Sequence, residues 1–371
     1  MDTFLSLSHT VVMFVAVFSV LVFVHEWGHY IVARMNGVRI EVFSIGFGPE
    51  IFGWTDKAKT RWKVSYVPLG GYVKFFGDVG AASIPSEESR SMAADERAVS
   101  FPHKKPIQRF AIVAAGPIAN FVFAIIILAG FFMIVGQPYT PAEVGEIMAE
   151  SAAEEAGFEV GDKIVRIDNT RINRFLDMQQ IVSLSPDEQM RFTVERGGEL
   201  VTLAVRPERV EFTDNFGQTH EIGRLGISRT AEDYIKRNPA SAVWYATVET
   251  GTIVRLSLKF IGQIITGKRS GEDLGGPIRI AKFSGDTAKQ GLAALIWFTA
   301  LLSINLGFIN LLPIPMLDGG HLVYYGWEIV TGKPLGARIQ EYGFRIGLAM
   351  VLTLMVFVTW NDLMFLNIFD F

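Results

Sequence analysis

Residues 22–29 read Val22-Phe23-Val24-His25-Glu26-Trp27-Gly28-His29, an His-Glu-x-x-His pattern closing an apolar run. On a helix, positions i and i+4 lie one above the other on the same face. His25 and His29 are therefore side by side, where two imidazoles can grip one metal ion. Glu26, next to the first of them, is placed to act as a general base in metal-assisted hydrolysis. The chain has only 6 histidines, so a chance pairing at this spacing is rare.

Outward from that stretch, the composition describes a membrane protein. Of the 371 residues, 50% are hydrophobic, 29 are Phe and 19% are charged, with a mean hydropathy of +0.30. A bilayer needs about 20 apolar residues as helix. Four segments supply that, at Leu5–Val24, Phe110–Val135, Leu292–Leu312 and Phe344–Phe365. The first has no basic leader region and no small-residue cleavage site, so it reads as a retained span rather than a signal peptide. A net charge of -4 makes no case for nucleic acid. With 0 Cys there is no disulfide, thiolate metal site or cysteine nucleophile.

Lys and Arg set the orientation. None occurs before Arg34, between Ala111 and Asp162, or after Arg345, whereas 34–109 is rich in both. The positive-inside rule makes that rich segment cytoplasmic. Both termini and the long 136–289 region then lie on the outer side. The ends of helices one and three share the cytoplasmic side. Ionisable residues such as His25, Glu26 and His29 are costly in lipid and should face the protein interior, marking a functional site.

Between the first two spans, Trp62–Phe75 alternates around Pro68-Leu69-Gly70-Gly71 and predicts two short strands about a turn. Either this is a small cytoplasmic hairpin, or it is a sheet dipping into the membrane beside the metal, tolerated there only if buried in protein or lining a cavity. Its edge could take an unfolded chain as an added strand. Ala81–Arg97 reads as a flexible polar loop. Helix two is expected to open near Gly116-Pro117, with proline in its first turn. Asn120 is expected to serve packing rather than catalysis.

Residues 136–230 predict a soluble α+β insertion. Glu154–Asp168 reads as a short helix, a glycine turn and a strand, and Phe175–Leu184 as a helix. Met190–Arg196 and Glu199–Val205 read as a hairpin around Gly197-Gly198. The order resembles a circularly permuted bacterial PDZ domain. In such domains the strand beginning Leu225-Gly226-Ile227 borders the peptide groove. Residues 231–288 read as an amphipathic linker that could lie along the membrane surface. Helix three ends in Asn310-Leu311-Leu312-Pro313-Ile314-Pro315-Met316-Leu317-Asp318-Gly319-Gly320-His321, where prolines and glycines unwind it. Asp318 or His321 could complete the metal shell, and spacing alone does not separate them.

These motifs together resemble the site-2 proteases, intramembrane zinc metalloproteases, most closely the bacterial regulator of sigma-E branch. The matching residues are His25-Glu26-Trp27-Gly28-His29, Gly46-Phe47-Gly48, Pro68 to Lys74, Gly116 to Asn120, Gly276-Pro277-Ile278 and Asn310 to Asp318. The resemblance implies a polytopic α-helical fold: four transmembrane helices, a membrane-associated β-hairpin or sheet, and one inserted periplasmic PDZ-like domain. It divides the chain into 1–135 (helices one and two, with the β region at about 40–76), 136–230, 231–288 and 289–371. It also implies one Zn²⁺ held by His25, His29 and Asp318, with Glu26 catalytic. Substrate contacts would come from Asn310, from Gly70, Gly71, Tyr72 and Val73, and from Leu225, Gly226 and Ile227. The implied substrates are single-pass membrane proteins in the bacterial inner membrane, such as anti-sigma factors first trimmed by a site-1-type periplasmic protease, and remnant signal peptides. The active site would lie near the cytoplasmic face, with both termini and the PDZ domain periplasmic. The enterobacterial enzyme has two PDZ domains where this chain has one.

Overall fold

The computed structural model describes residues 2–78, 92–213, 219–228, 233–267 and 269–365. The chain divides into two compact units, 1–128 with 274–371, and 129–273. Among the described residues, four helices are long and apolar enough to cross a membrane.

In the first unit, α1 (Asp2–Met35) is an unbroken 34-residue helix. At about 1.5 Å per residue it is about 51 Å long, exceeding a hydrocarbon core of about 30 Å. The helix continues past the apolar run Leu5–Val24 and carries the histidine pair near its C-terminal end, as the i, i+4 spacing requires. The other long helices are α3 (Pro106–Ile134), α8 (Leu292–Leu311) and α10 (Ala337–Phe365), with short α2 (Ala94–Val99) before α3 and α9 (Asp318–Thr331) between the last two. Two expectations are corrected here. Helix α3 opens at Pro106, so Pro117 is inside it and not in its first turn. Residues 94–97 of the expected loop belong to α2, and 79–91 lie outside the described residues.

Strands β1 (Ile40–Thr55) and β2 (Arg61–Phe75) form a sheet in which β2 is used twice. Val42–Ile45 pairs with Gly71–Lys74 and also with Arg61–Val64. A strand residue with two partners has one on each side. The two ends of β2 therefore flank the same stretch of β1, and the Pro68–Gly71 segment carries the chain between them. Gly70 takes φ +101 in that bend, a region closed to most side chains. The two short strands expected about Pro-x-Gly-Gly are instead one continuous strand, Arg61–Phe75, which changes its pairing with β1 around that segment. Rings clamp the sheet onto α1: Phe23 meets Phe43 at 5.7 Å, Tyr30 meets Trp62 at 5.0 Å, and Phe43 stacks on Trp62 at 4.4 Å. Such pairs contribute about 0.5–1.5 kcal/mol each beyond area burial.

Helix α7 (Pro277–Lys289) also belongs to this unit. Its open N-terminus is capped by buried Asp362 of α10, which accepts from the N–H groups of Gly276, Ile278 and Arg279 at 2.8, 3.0 and 3.1 Å. A carboxylate there satisfies orphan donors and matches the helix dipole.

The second unit centres on a four-stranded sheet whose inner strands are Lys163–Ile167 and Met190–Arg196, flanked by Thr170–Arg171 and Glu199–Val205. These strands are β5 (Lys163–Ile167), β6 (Thr170–Arg171), β7 (Met190–Arg196) and β8 (Glu199–Val205). Helix α5 (Phe175–Ser183) buries Phe175, Met178 and Val182, at the i, i+3, i+7 spacing of one face. They join Ile164, Phe192, Val194 and Leu225 in one core. Helix α4 (Ala152–Glu155) precedes the sheet, and α6 (Pro239–Ile265) follows it, capped by Asn238. The carbonyls of Leu225 and Gly226 accept from Ala153 and Met148. Ile227 begins β11 (Ile227–Ser228), paired with β4 (Glu146–Ile147).

Candidate metal centre

Three side chains converge from the two ends of the sequence. His25 Nε2 and His29 Nε2 are 3.3 Å apart on α1. Asp318 Oδ2 lies 3.1 Å from the first and 3.5 Å from the second. It reaches them because α8 unwinds at Leu312 and α9 restarts the chain at Asp318. The restart packs so tightly on the end of α8 that a Cβ on Gly319 would strike the carbonyls of Leu312 and Leu311. This explains the Asp-Gly-Gly run.

The donor set fits a metal ion. One atom from each of His25, His29 and Asp318 lies within 4.8 Å of the others. Asp318 Oδ2 is buried and accepts no hydrogen bond, despite two imidazole nitrogens beside it. An anionic oxygen left unpartnered in a buried site is costly, and a cation at the shared focus relieves it. His29 Nδ1 is 2.9 Å from the Ile112 carbonyl. A carbonyl only accepts, so Nδ1 carries the proton and Nε2 keeps its lone pair, as a ligand requires. Two imidazoles and one carboxylate, with a position left open, match a catalytic zinc shell rather than a closed structural one.

Helix α3 shapes the site from behind. A Cβ at Gly116 would collide with the His29 ring at its ligating nitrogen, and one at Gly28 would collide with the Ala115 carbonyl. Both glycines admit close approach of α1 and α3. Asn120, expected to serve packing, is fully buried and has its carboxamide nitrogen 3.1 Å from His25 Nδ1.

A cavity of about 210 Å³ opens onto the group. Glu26 lines it, with Gly71, Tyr72 and Val73 of β2, and so does His321. Glu26 is 9% exposed and packs against β2, where a Cβ on Gly71 would lie 3.2 Å from its Cγ. His321 stands outside the three-residue group and stacks on Tyr325. Asn310 is half-buried near the end of α8 and does not line the cavity, nor does Gly70. Sequence reasoning missed the Ile112 carbonyl, which carries no side-chain signal. It also missed the His25 contact of Asn120, whose one signal is a polar amide in an apolar helix.

In the second unit, Arg174 holds Asp177 and Glu249 at 2.6 Å each. Glu249 is 1% exposed. Burial pushes its carboxyl above the ordinary value, opposed by Arg174. A cavity of about 540 Å³ adjoins this pair, between the sheet domain and α6.

A membrane-helix scaffold carrying His-Glu-x-x-His and a distant aspartate defines a zinc metallopeptidase. The chain belongs to peptidase family M50, the site-2 protease family, whose model matches residues 13–354. It is 47% identical over 358 residues to the Agrobacterium fabrum protein named "Putative zinc metalloprotease Atu1380", covering 95% of each chain. It is 40% identical over 379 residues to "Metalloprotease MmpA" of Caulobacter vibrioides, covering 96% of this chain and 95% of that one.

Proposed function

We propose that this enzyme cuts a peptide bond within the transmembrane segment of single-pass membrane proteins, with Glu26 as the general base and His25, His29 and Asp318 as the zinc ligands. The observation that carries the reading is the cavity that Glu26 and the metal group share with Gly71, Tyr72 and Val73, which sets a strand edge against the reacting carboxylate. When bound, zinc supplies Lewis-acid polarisation of the scissile carbonyl. Glu26 takes a proton from the attacking water and passes it to the leaving amine.

A transmembrane helix hides its carbonyls in its own hydrogen bonds and must unwind to be cut. The Gly71–Phe75 edge offers replacement backbone partners, by strand addition. Asn310 near the end of α8 is assigned to substrate contact. The second unit acts as a PDZ-like module with Leu225-Gly226-Ile227 at its peptide groove. By the charge pattern, that unit and both termini face the outer side of a bacterial inner membrane, with the metal group towards the cytoplasmic side. Anti-sigma factors trimmed by a first protease, and remnant signal peptides, are the substrate class.

The test is cleavage of a tagged single-span substrate in membranes, with zinc content measured alongside. Zinc-dependent cuts mapped inside the span support the reading. A zinc-loaded enzyme that cuts only soluble peptides, and never the span, defeats it.

A further inference from the structure

The two histidines of the group are held differently from behind, although both back onto α3. His29 Nδ1 donates to the Ile112 carbonyl at 2.9 Å, so its ligating tautomer is set by a group that can only accept. His25 Nδ1 faces the Asn120 carboxamide at 3.1 Å, through the amide nitrogen. With that nitrogen donating, His25 Nδ1 would be the acceptor and its proton would sit on Nε2, where a metal has to bind. Meanwhile Asn120 Oδ1 is buried with no partner, in a residue that is 0% exposed.

A carboxamide has nearly the same shape with its oxygen and nitrogen exchanged. A half turn about its last side-chain bond puts Oδ1 on His25 Nδ1, with the amide nitrogen taking the place the oxygen leaves. The orphaned oxygen gains a donor, and His25 Nε2 gains a lone pair. The residue is well fixed for this task. Its own carbonyl accepts from Ser303 Oγ of α8 at 2.8 Å, and Gly307 of α8 packs close to its Cβ and to the Pro117 carbonyl.

We propose that Asn120 is the positioning residue of His25. Its carboxamide oxygen holds the Nδ1 proton and so presents Nε2 to the metal, as the Ile112 carbonyl does for His29. The proposal rests on the reading of His25, His29 and Asp318 as zinc ligands. It makes α3 the template for both imidazoles, Ile112 and Asn120 lying eight residues apart, a little over two turns.

The experiment measures zinc affinity of the full chain by competition with a chromogenic chelator, for the wild type, Asn120→Asp and Asn120→Leu. The thermal midpoint of each metal-free protein is recorded beside it. Aspartate keeps an acceptor oxygen, so Asn120→Asp binds zinc at least as tightly as the wild type. Leucine keeps the volume and loses the acceptor, so Asn120→Leu binds about 10–100-fold more weakly, beyond any change in the metal-free midpoint. Equal zinc affinity in Asn120→Leu and the wild type, or equal losses in both variants, overturns the proposal. Should Asn120→Leu not fold, ¹⁵N-histidine spectra of the zinc-loaded wild type decide it. A proton on His25 Nδ1 is the expected result, and its absence overturns the assignment. Because the readouts are affinity and tautomer, they stand apart from proteolysis. A chain that gives both results yet cuts no membrane substrate defeats the proposed function and leaves this inference in place.

Discussion

Gly71 of β2 packs directly on Glu26, so that a Cβ on Gly71 would lie 3.2 Å from Glu26 Cγ. The edge of the sheet and the proposed base are thus one structural unit. A substrate strand laid along Gly71–Phe75 would run past Glu26 and the three-ligand group. Replacing Glu26 by Gln keeps the shape and a hydrogen-bond acceptor but removes the base. Cleavage of a single-span substrate is expected to fall about 10²–10⁴-fold, with zinc content unchanged. Turnover near the wild-type rate would sink the role given to Glu26.

The strand edge can be tested at Gly71. A Cβ there would lie 2.6 Å from the Ser44 carbonyl and 2.7 Å from Val22 Cγ1. Gly71→Val therefore pushes the edge off α1. Cleavage is expected to drop by about tenfold or more, since misplacement of about 1 Å can cost about 10²-fold. Zinc binding should persist. Full turnover together with full zinc content would remove the edge strand from the mechanism.

At Gly116 the expectation reverses, with the metal lost first. A methyl there would crowd the His29 Nε2 position, so Gly116→Ala should bind zinc at least tenfold more weakly, comparable to other losses of ligand support at about 10–100-fold. A Cβ at Gly130, on the same helix, would meet nothing within 4 Å. Gly130→Ala should be neutral or slightly stabilising, by up to about 1 kcal/mol from helix propensity. Metal content and thermal midpoints of both variants check the contrast.

The second unit has its own weak point. Arg174→Ala leaves Glu249 buried without its cation, and breaking such a pair costs about 3–5 kcal/mol. The double change Arg174→Met with Glu249→Leu removes both charges and should recover much of that loss. Hydrogen exchange across 174–183 and 239–256 of the full chain reads both. Equal protection in the wild type and Arg174→Ala would show the pair to be dispensable.

Acid should loosen the same unit at Asp162. Burial alone would raise its carboxyl, but the Arg196 guanidinium, at 2.7 Å, and the Glu159 N–H hold it below the ordinary value. A carboxyl depressed in the folded state contributes stability that is complete above its unfolded value of about 3.9. That contribution is lost as pH falls through the folded value, below about 4. Exchange protection of 159–166 should therefore decline below about pH 4, and Asp162→Asn should flatten the decline. An unaltered profile in Asp162→Asn would place the acid sensitivity elsewhere.

Much of this was legible where the signal is local. Four apolar runs gave four long helices, because a bilayer demands continuous apolar helix. The Gly197-Gly198 turn separated β7 from β8 at the expected residues, since positive φ at both positions is a local requirement. The i, i+4 spacing of His25 and His29 put both on one face for the same kind of reason. The first turn expected at Pro117 was misplaced because proline was read as a start signal, while tertiary packing carries α3 through it.

The sequence by itself determined the membrane-helix scaffold and the residue types at the metal group, which follow from periodicity and short-range spacing, and its motifs carried the resemblance to the family. Tertiary structure decided what those residues face. The contact of His29 with Ile112 spans 83 positions, and that of His25 with Asn120 spans 95. Asp318 comes from the other end of the chain. The use of β2 on both sides of β1, which leaves Gly71 beside Glu26, is written in no single segment. Such relationships depend on how helices and strands pack once formed, and a backbone carbonyl or N–H, common to nearly every residue, leaves no mark in the sequence.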